Sequence, residues 1–193
     1  EASEVELPSP ELFDDSITEL QFVAGGRLLL SWAGTLYTRR PGEEQPLPIA
    51  SGVGRFQATP DGRFVIARSN PDRHPPFVAT VFDLERGASI QLTSHGRQVH
   101  SLALDPTGTI AVTGGFDGVV RVGRATGEPP HELVSGSGWV SGVAVSADGR
   151  WIAAGSKDGT IRLWPMPDLD EPPLATLPYA RFLAMLESLT NLR

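Results

Sequence analysis

The chain has 193 residues, of which 40% are apolar and 20% charged, a composition typical of a soluble globular protein with one domain or two small ones. It contains no cysteine, which excludes disulfides, thiolate catalysis and cysteine-ligated zinc and fits a cytoplasmic location. Asp and Glu outnumber Lys and Arg by 23 to 16, and the net charge of −7 argues against nucleic acid or an anionic membrane as the main partner.

Glycine and proline contribute 21 and 17 residues, which predicts many turns and short strands and therefore an all-β fold. No apolar run reaches the length of about 18 residues that suggests a membrane-spanning helix. The sequence begins with Glu1 and shows no secretory signal, so we expect a processed product or a fragment of a longer protein.

The first segment, residues 1–16, is acidic and contains Pro8 and Pro10. This composition is typical of a lead-in or linker. The alternative is an edge strand around Val5 to Leu7 that completes a neighbouring sheet.

From residue 17 onward a unit of four short strands recurs. Its turn glycines, Gly26, Gly62, Gly108 and Gly149, are separated by 36, 46 and 41 residues, close to the period of about 40–45 residues of four-stranded propeller blades. Asp-Gly between apolar runs indicates a tight turn, because such turns need a positive φ that glycine adopts without strain. The sequence therefore predicts four blades, at residues 17–50, 51–92, 93–134 and 135–177.

Each unit contributes four predicted strands. The first strands are 18–23, 54–59, 100–105 and 141–146, and the second are 27–32, 63–69, 109–114 and 150–155. The third are 35–39, 77–84, 119–122 and 160–165, and the fourth are 45–49, 89–92, 132–134 and 174–177. The proline-rich segment 70–76 predicts a stiff, exposed loop in the second unit, because proline removes a ladder donor.

The end of the chain, residues 178–193, has a different pattern. Apolar side chains recur there at helical spacing after Pro178, which predicts a short C-terminal helix with a broad apolar stripe. The stripe either packs on the propeller or is presented to a partner.

The family resemblance is clearest between Trp139 and Trp164, which read W-V-S-G-V-A-V-S-A-D-G-R-W-I-A-A-G-S-K-D-G-T-I-R-L-W. This stretch resembles the WD-repeat family of β-propellers, and the resemblance extends over the four units. Blades of that family carry a Gly-His pair before the first strand, a Ser or Thr in the second, an Asp before the third and a Trp-Asp at its end. The resemblance implies a hydrogen-bonded tetrad of His, Ser or Thr, Asp and Trp that fixes a blade.

The implied tetrad is incomplete in the third and fourth units. The third unit offers His95, Thr113 and Asp117, but Gly123 stands at the tryptophan position. In the fourth unit the resemblance assigns Asp158 and Trp164 to the tetrad.

The other motif positions of the fourth unit depart from the family. Gly136 stands where histidine is expected, Ala154 where Ser or Thr is expected, and Pro165 replaces the final Asp. Strand pairing and apolar packing are therefore expected to hold this blade.

The resemblance also implies a protein-binding face at one end of the blades. The positions carried over are Gln98, His100 and Phe116 in the third unit and Trp139, Ser141 and Lys157 in the fourth. An exposed Trp and Phe beside polar groups are typical of protein-binding hot spots. The alternative is that Trp139 packs into its own blade.

Family members normally close into rings of about seven or eight blades, which protects the strand edges and buries the faces between blades. Four blades leave an apolar face at each end. Three outcomes remain open: the chain is the C-terminal half of a longer protein, it pairs with another chain or its own copy, or it closes alone as a four-bladed ring. The C-terminal run is similar to tails of bacterial WD-repeat proteins, which implies an upstream effector region.

The resemblance implies a non-catalytic scaffold for protein interaction or sensing, with no cofactor and no metal. The alternative is an enzymatic propeller with a small-molecule site at the channel mouth, for which His100 is the candidate residue. His74 and His131 lie in proline-rich segments and are expected to be solvated. Ligand spacings such as H-E-x-x-H and the nucleophile motif G-x-S-x-G do not occur.

Overall fold

The computed structural model describes residues 17–69, 78–136, 138–181 and 183, and within them it shows fifteen strands in four antiparallel sheets. The first sheet contains β1 (Ile17–Val23), β2 (Arg27–Trp32), β3 (Thr35–Arg39) and β4 (Leu47–Ser51). The second contains β5 (Val53–Ala58), β6 (Phe64–Ser69), β7 (Ala79–Asp83) and β8 (Ala88–Gln91). The third contains β9 (Val99–Leu104), β10 (Ile110–Gly115), β11 (Val119–Arg124) and β12 (His131–Val134), and the fourth β13 (Val140–Val145), β14 (Trp151–Ser156) and β15 (Ile161–Pro165).

Neighbouring strands in each sheet are also consecutive in the chain, so every sheet is an up-and-down meander of the kind that forms a propeller blade. The predicted all-β architecture of four antiparallel, blade-like sheets is confirmed. The predicted segments 1–16 and 70–76 lie outside the described residues, as does most of the predicted helix 178–193. The described part of that helix begins at Tyr179.

One predicted strand is wrong. Residues 174–177 were expected to form the fourth strand of the last blade, but Leu174–Thr176 is a 3-10 helix, and the described part of this sheet has three strands. The preceding Pro172 and Pro173 explain the difference, since proline fixes φ and cannot donate to a ladder. The backbone N–H of Thr176 instead donates to the carbonyl of Pro173 at 2.9 Å.

The core lies between the blades. In β10, Ala111 packs towards the second blade and Val112 towards the fourth, because successive side chains of a strand point to opposite faces. The buried cluster between the first two blades contains Val23, Leu29, Leu36, Val53, Phe56, Ala58, Val65 and Ala67. The second cluster contains Ile66, Ala79, Val81, Val99, Leu104, Ala111 and Ala125, and the third Ala103, Val112, Val120, Val122, Val140, Ile152 and Ala154.

Glutamine side chains add polar links between blades along the inner strands. The amide of Gln21 both donates to the carbonyl of Ala58 (2.9 Å) and accepts from its N–H (2.8 Å), as a neighbouring strand would. Gln57 accepts from the N–H of Leu104 at 3.0 Å. The inner strands β1, β5, β9 and β13 therefore follow one another in an arc.

Both ends of this arc present apolar side chains to solvent. On the first blade Leu20 and Phe22 are 56% and 74% exposed. On the fourth, Trp151, Ile161 and Leu163 are 51%, 79% and 66% exposed. These end faces are apolar, like the faces that pack between the inner blades, but no described residues cover them.

No helix among the described residues is long and apolar enough to cross a membrane.

Candidate functional site

The predicted site residues lie at one end of the third and fourth blades, where first strands begin and second strands end. Two equivalent backbone hydrogen bonds hold their loops. The N–H of Phe116 donates to the carbonyl of Gln98 at 3.1 Å, and the N–H of Lys157 donates to that of Trp139 at 3.0 Å. Gln98 and Trp139 thus occupy the same position in successive blades, as do Phe116 and Lys157.

The structure brings His95, Thr113 and Asp117 together in the third blade. The Nδ1 of His95 lies 2.9 Å from the carboxylate of Asp117, and its Nε2 lies 2.9 Å from the hydroxyl of Thr113. Burial lowers the pKa of His95 more than Asp117 raises it, which favours the neutral ring. A neutral ring donates from Nδ1 to the carboxylate and accepts at Nε2 from the Thr113 hydroxyl.

Arg121 extends this network and was missed from the sequence. Its guanidinium donates to Asp117 at 2.7 Å and pairs with Glu132 at 2.8 Å. Burial would raise the pKa of Asp117, but the hydrogen bonds from Arg121 and His95 hold it below its ordinary value. Arg121 and Glu132 are directly opposite each other on β11 and β12, so an alignment of these two strands would have revealed the pair.

The missing tryptophan of the third blade is replaced by close packing of a loop. A Cβ added to Gly123 would lie 3.3 Å from the Cα of Pro130. A small pocket with room for about one water molecule remains beside Thr113 and Arg121. The polar network therefore ends at Thr113.

The fourth blade does not join its two predicted tetrad residues. Asp158 accepts from the side chain of Thr160 at 2.5 Å and from its N–H at 3.0 Å. Trp164 is half-buried opposite Ile152 and packs against the core between the third and fourth blades. Each of the two predicted residues thus has its own local role, the aspartate in a turn and the tryptophan in the core.

An arginine approaches Asp158 from the side where the family has histidine. A Cβ on Gly136 would lie 2.8 Å from the carboxylate of Asp158 and 3.0 Å from Nη1 of Arg162. Arg162 donates to the hydroxyl of Thr160 at 2.7 Å and also to the carbonyl of Ser135. Arg162 was not predicted from the sequence.

Four of the six predicted face residues form a cluster across the two blades, which we call the aromatic stack: His100, Phe116, Trp139 and Lys157. The rings of Phe116 and Trp139 stack with centroids 5.2 Å apart and an interplanar angle of 27°. His100 lies 5.5 Å from the ring of Phe116 and 6.4 Å from that of Trp139. The ammonium of Lys157 lies 3.7 Å from the centroid of Trp139, within range of a cation–π interaction.

Gln98 and Ser141 lie beside the stack rather than in it. The carbonyl of Gln98 holds the loop of Phe116, and its side chain is half-buried. The exposed hydroxyl of Ser141 donates to the carbonyl of Gly155 at 3.0 Å, which ties β13 to β14. Neither side chain is shown in contact with the rings.

Two arginines of the second blade lie close enough to His100 to act on its charge. Arg68 is half-buried and donates to the carbonyl of Val99 at 3.3 Å, while Arg55 is exposed on β5. Burial lowers the pKa of His100, and the positive charges of Arg68 and Arg55 lower it further. A hydrogen bond with the Ser141 backbone opposes this shift but does not cancel it. His100 is therefore neutral near pH 7.

This environment gives no support to a catalytic channel mouth. A histidine base is normally oriented by a carboxylate or similar acceptor, whereas the charges that act on His100 among the described residues are those of arginines. The described residues contain no group of three or more His, Asp or Glu side chains arranged to hold a metal ion.

The sequence matches a known repeat family in two places. The family model described as "WD domain, G-beta repeat" matches residues 88–122 and 127–165. Each match starts at the outer strand of one blade, β8 or β12, and continues through three strands of the next. One repeat therefore links two blades covalently.

A curated relative has about twice the length of this chain. The mitotic checkpoint protein bub-3 of Caenorhabditis elegans is 28% identical over 178 residues, which cover 88% of this chain and 50% of that protein. The chain thus spans about half the length of the relative it matches.

Proposed function

We propose that this chain is a non-catalytic scaffold of propeller blades of the WD-repeat type that binds a protein partner at the aromatic stack. WD-repeat propellers are generally non-catalytic interaction scaffolds, so any catalysis in the assembly would belong to another domain or chain. A catalytic role for His100 has no carboxylate in support among its described contacts.

The aromatic stack is the observation that carries this proposal. Two half-buried aromatic side chains, Phe116 and Trp139, come from adjacent blades and share a surface with the exposed Lys157. Backbone hydrogen bonds fix the positions of both loops, so little ordering is needed when a partner binds. Rigid aromatic anchors surrounded by polar groups are where binding energy concentrates in protein interfaces.

Further blades complete the propeller in this proposal. Blades from the same polypeptide or from a second chain cover the two exposed apolar faces at the ends of the arc. The twofold length of the bub-3 relative supports the same idea. A bacterial multidomain protein with an upstream effector, in the cytoplasm, is the setting that the sequence resemblance suggests.

The substitution Trp139→Ala tests the proposed binding surface. Peptides of about 12 residues, selected on the purified protein from a random displayed library, serve as the probe. We expect Trp139→Ala to weaken their binding about tenfold or more, because it removes the central anchor. Because Trp139 is only half-buried, the loss of its ring contacts with Phe116 and His100 predicts a fall of only about 2–4 °C in melting temperature.

Trp151→Ala is the matched control, since it removes the same side chain from a surface outside the stack. We expect it to leave peptide binding within about twofold of the unsubstituted protein. A large fall in the melting temperature of Trp139→Ala, with equal binding losses in both variants, would show that Trp139 serves packing and not recognition.

A further inference from the structure

Three cationic side chains lie around the aromatic stack, although the chain as a whole has a net charge of −7. Arg55 and Arg68 of the second blade and Lys157 of the fourth lie there around the stack. The charges that act on Arg68 and His100 come from arginines, and both groups have a lowered pKa, first because of burial and then because of this repulsion. The second and fourth blades thus bring like charges together around the stack.

The cations at this end are not neutralised within the described residues. Arg63 and Arg124 elsewhere in the chain each pair with two carboxylates, and so does Arg121, which is bound to Asp117. By contrast, Arg55, Arg68 and Lys157 form no salt bridge in the described part of the chain. The Nε of Arg68 and the Nδ1 of His100 are buried there without a hydrogen-bond partner.

The two aspartates next to the stack are already engaged. Asp117 accepts from His95 and Arg121, and Asp158 accepts from Thr160. Neither carboxylate forms a salt bridge with Arg55 or Arg68 in the described part of the chain. Like charges gathered without counter-charges cost free energy, which a negatively charged partner recovers on binding.

From this arrangement we infer that the partner contributes an acidic segment, whose Asp or Glu carboxylates bind Arg55 and Arg68 while an apolar side chain rests on the aromatic stack. This inference rests on the proposed function, because it names the chemistry of the partner at the same surface. Guanidinium groups match carboxylates in geometry and form strong charge-assisted hydrogen bonds with them.

A peptide fits this site better than a nucleic acid does. Binding of single-stranded nucleic acid uses a series of ring faces on which successive bases stack, whereas this surface offers a single cluster in which Phe116 and Trp139 stack on each other. The overall charge of −7 also opposes a long polyanion more than a short segment with a few carboxylates.

The composition of the selected peptides tests the inference. We expect the enriched pool to be negatively charged and its affinity to fall as salt concentration rises. Replacing Glu and Asp in an enriched peptide by Gln and Asn is expected to weaken binding about tenfold or more, as is Arg55→Glu in the protein. Arg150→Glu is the control, because it makes the same charge change at an exposed turn at the opposite end of the fourth blade. It is expected to change affinity by less than about twofold.

The outcomes separate this inference from the proposed function. A neutral or basic pool that still requires Trp139 overturns the acidic partner and leaves the interaction surface in place. If oligothymidylate binds more tightly than the peptides and Arg55→Glu abolishes its binding, the ligand of this surface is a nucleic acid and not an acidic peptide. A pool that is indifferent to Trp139→Ala, or no enrichment at all, contradicts both proposals.

Discussion

His95→Ala is expected to lower the free energy of unfolding by about 3 kcal/mol, with a fall of about 6–12 °C in melting temperature. The His95 side chain is fully buried and makes two hydrogen bonds in the third blade. Its removal leaves the buried hydroxyl of Thr113 without its partner and opens a cavity, and each loss costs about 1–3 kcal/mol. Asp117 keeps Arg121 as a hydrogen-bond partner, which limits the total loss of unfolding free energy.

His131→Ala is the matched control for this experiment. His131 contacts the carbonyl of Glu171 at 3.2 Å in an exposed setting, so its loss is expected to cost about 0.5 kcal/mol or less. Denaturant titrations of both variants provide the measurement. If His95→Ala proved no more destabilising than His131→Ala, the polar network of the third blade would not contribute to stability.

Gly108→Ala is expected to lower the free energy of unfolding by about 3–4 kcal/mol, at least as much as His95→Ala. Gly108 has a φ of 74° in the turn between β9 and β10, and an added Cβ would overlap the ring of Phe64 on the second blade. The substitution therefore combines backbone strain with a clash between blades.

Gly149→Ala separates these two effects. Gly149 occupies the equivalent turn of the fourth blade with a φ of 69°, but a Cβ there would meet nothing within 4 Å. It should show only the strain of about 1–2 kcal/mol. The difference in unfolding free energy between the two variants measures how tightly the third blade packs on the second. Equal losses would mean that this turn does not contact its neighbour in solution.

The repeated features of the chain were predictable from sequence because they depend on local chemistry. The turn glycines at 62, 108 and 149 all have positive φ, and strands lie on either side of each. Where the local residues disfavour the strand that the repeat predicts, their conformational preference determines the structure. Pro172 and Pro173 turn the expected last strand into the 3-10 helix Leu174–Thr176.

The candidate site was predictable only as a set of positions. Their family pattern pointed to Phe116, Trp139 and Lys157, but their mutual contacts depend on how two blades are inclined to each other. No spacing along the chain encodes that angle. Arg55 and Arg68 were missed for the same reason, since they reach this surface from the second blade, whereas the stack lies on the third and fourth.

The mass of the purified chain by light scattering tests most directly whether these blades work as part of a larger propeller. The exposed faces around Phe22 and Ile161 predict association, so the measured mass should exceed the 20.6 kDa of one chain. Phe22→Glu combined with Ile161→Glu should return the mass to that of one chain without loss of the β-sheet signal. A stable monomer of the unsubstituted chain would contradict the account, because its end faces would then need no covering.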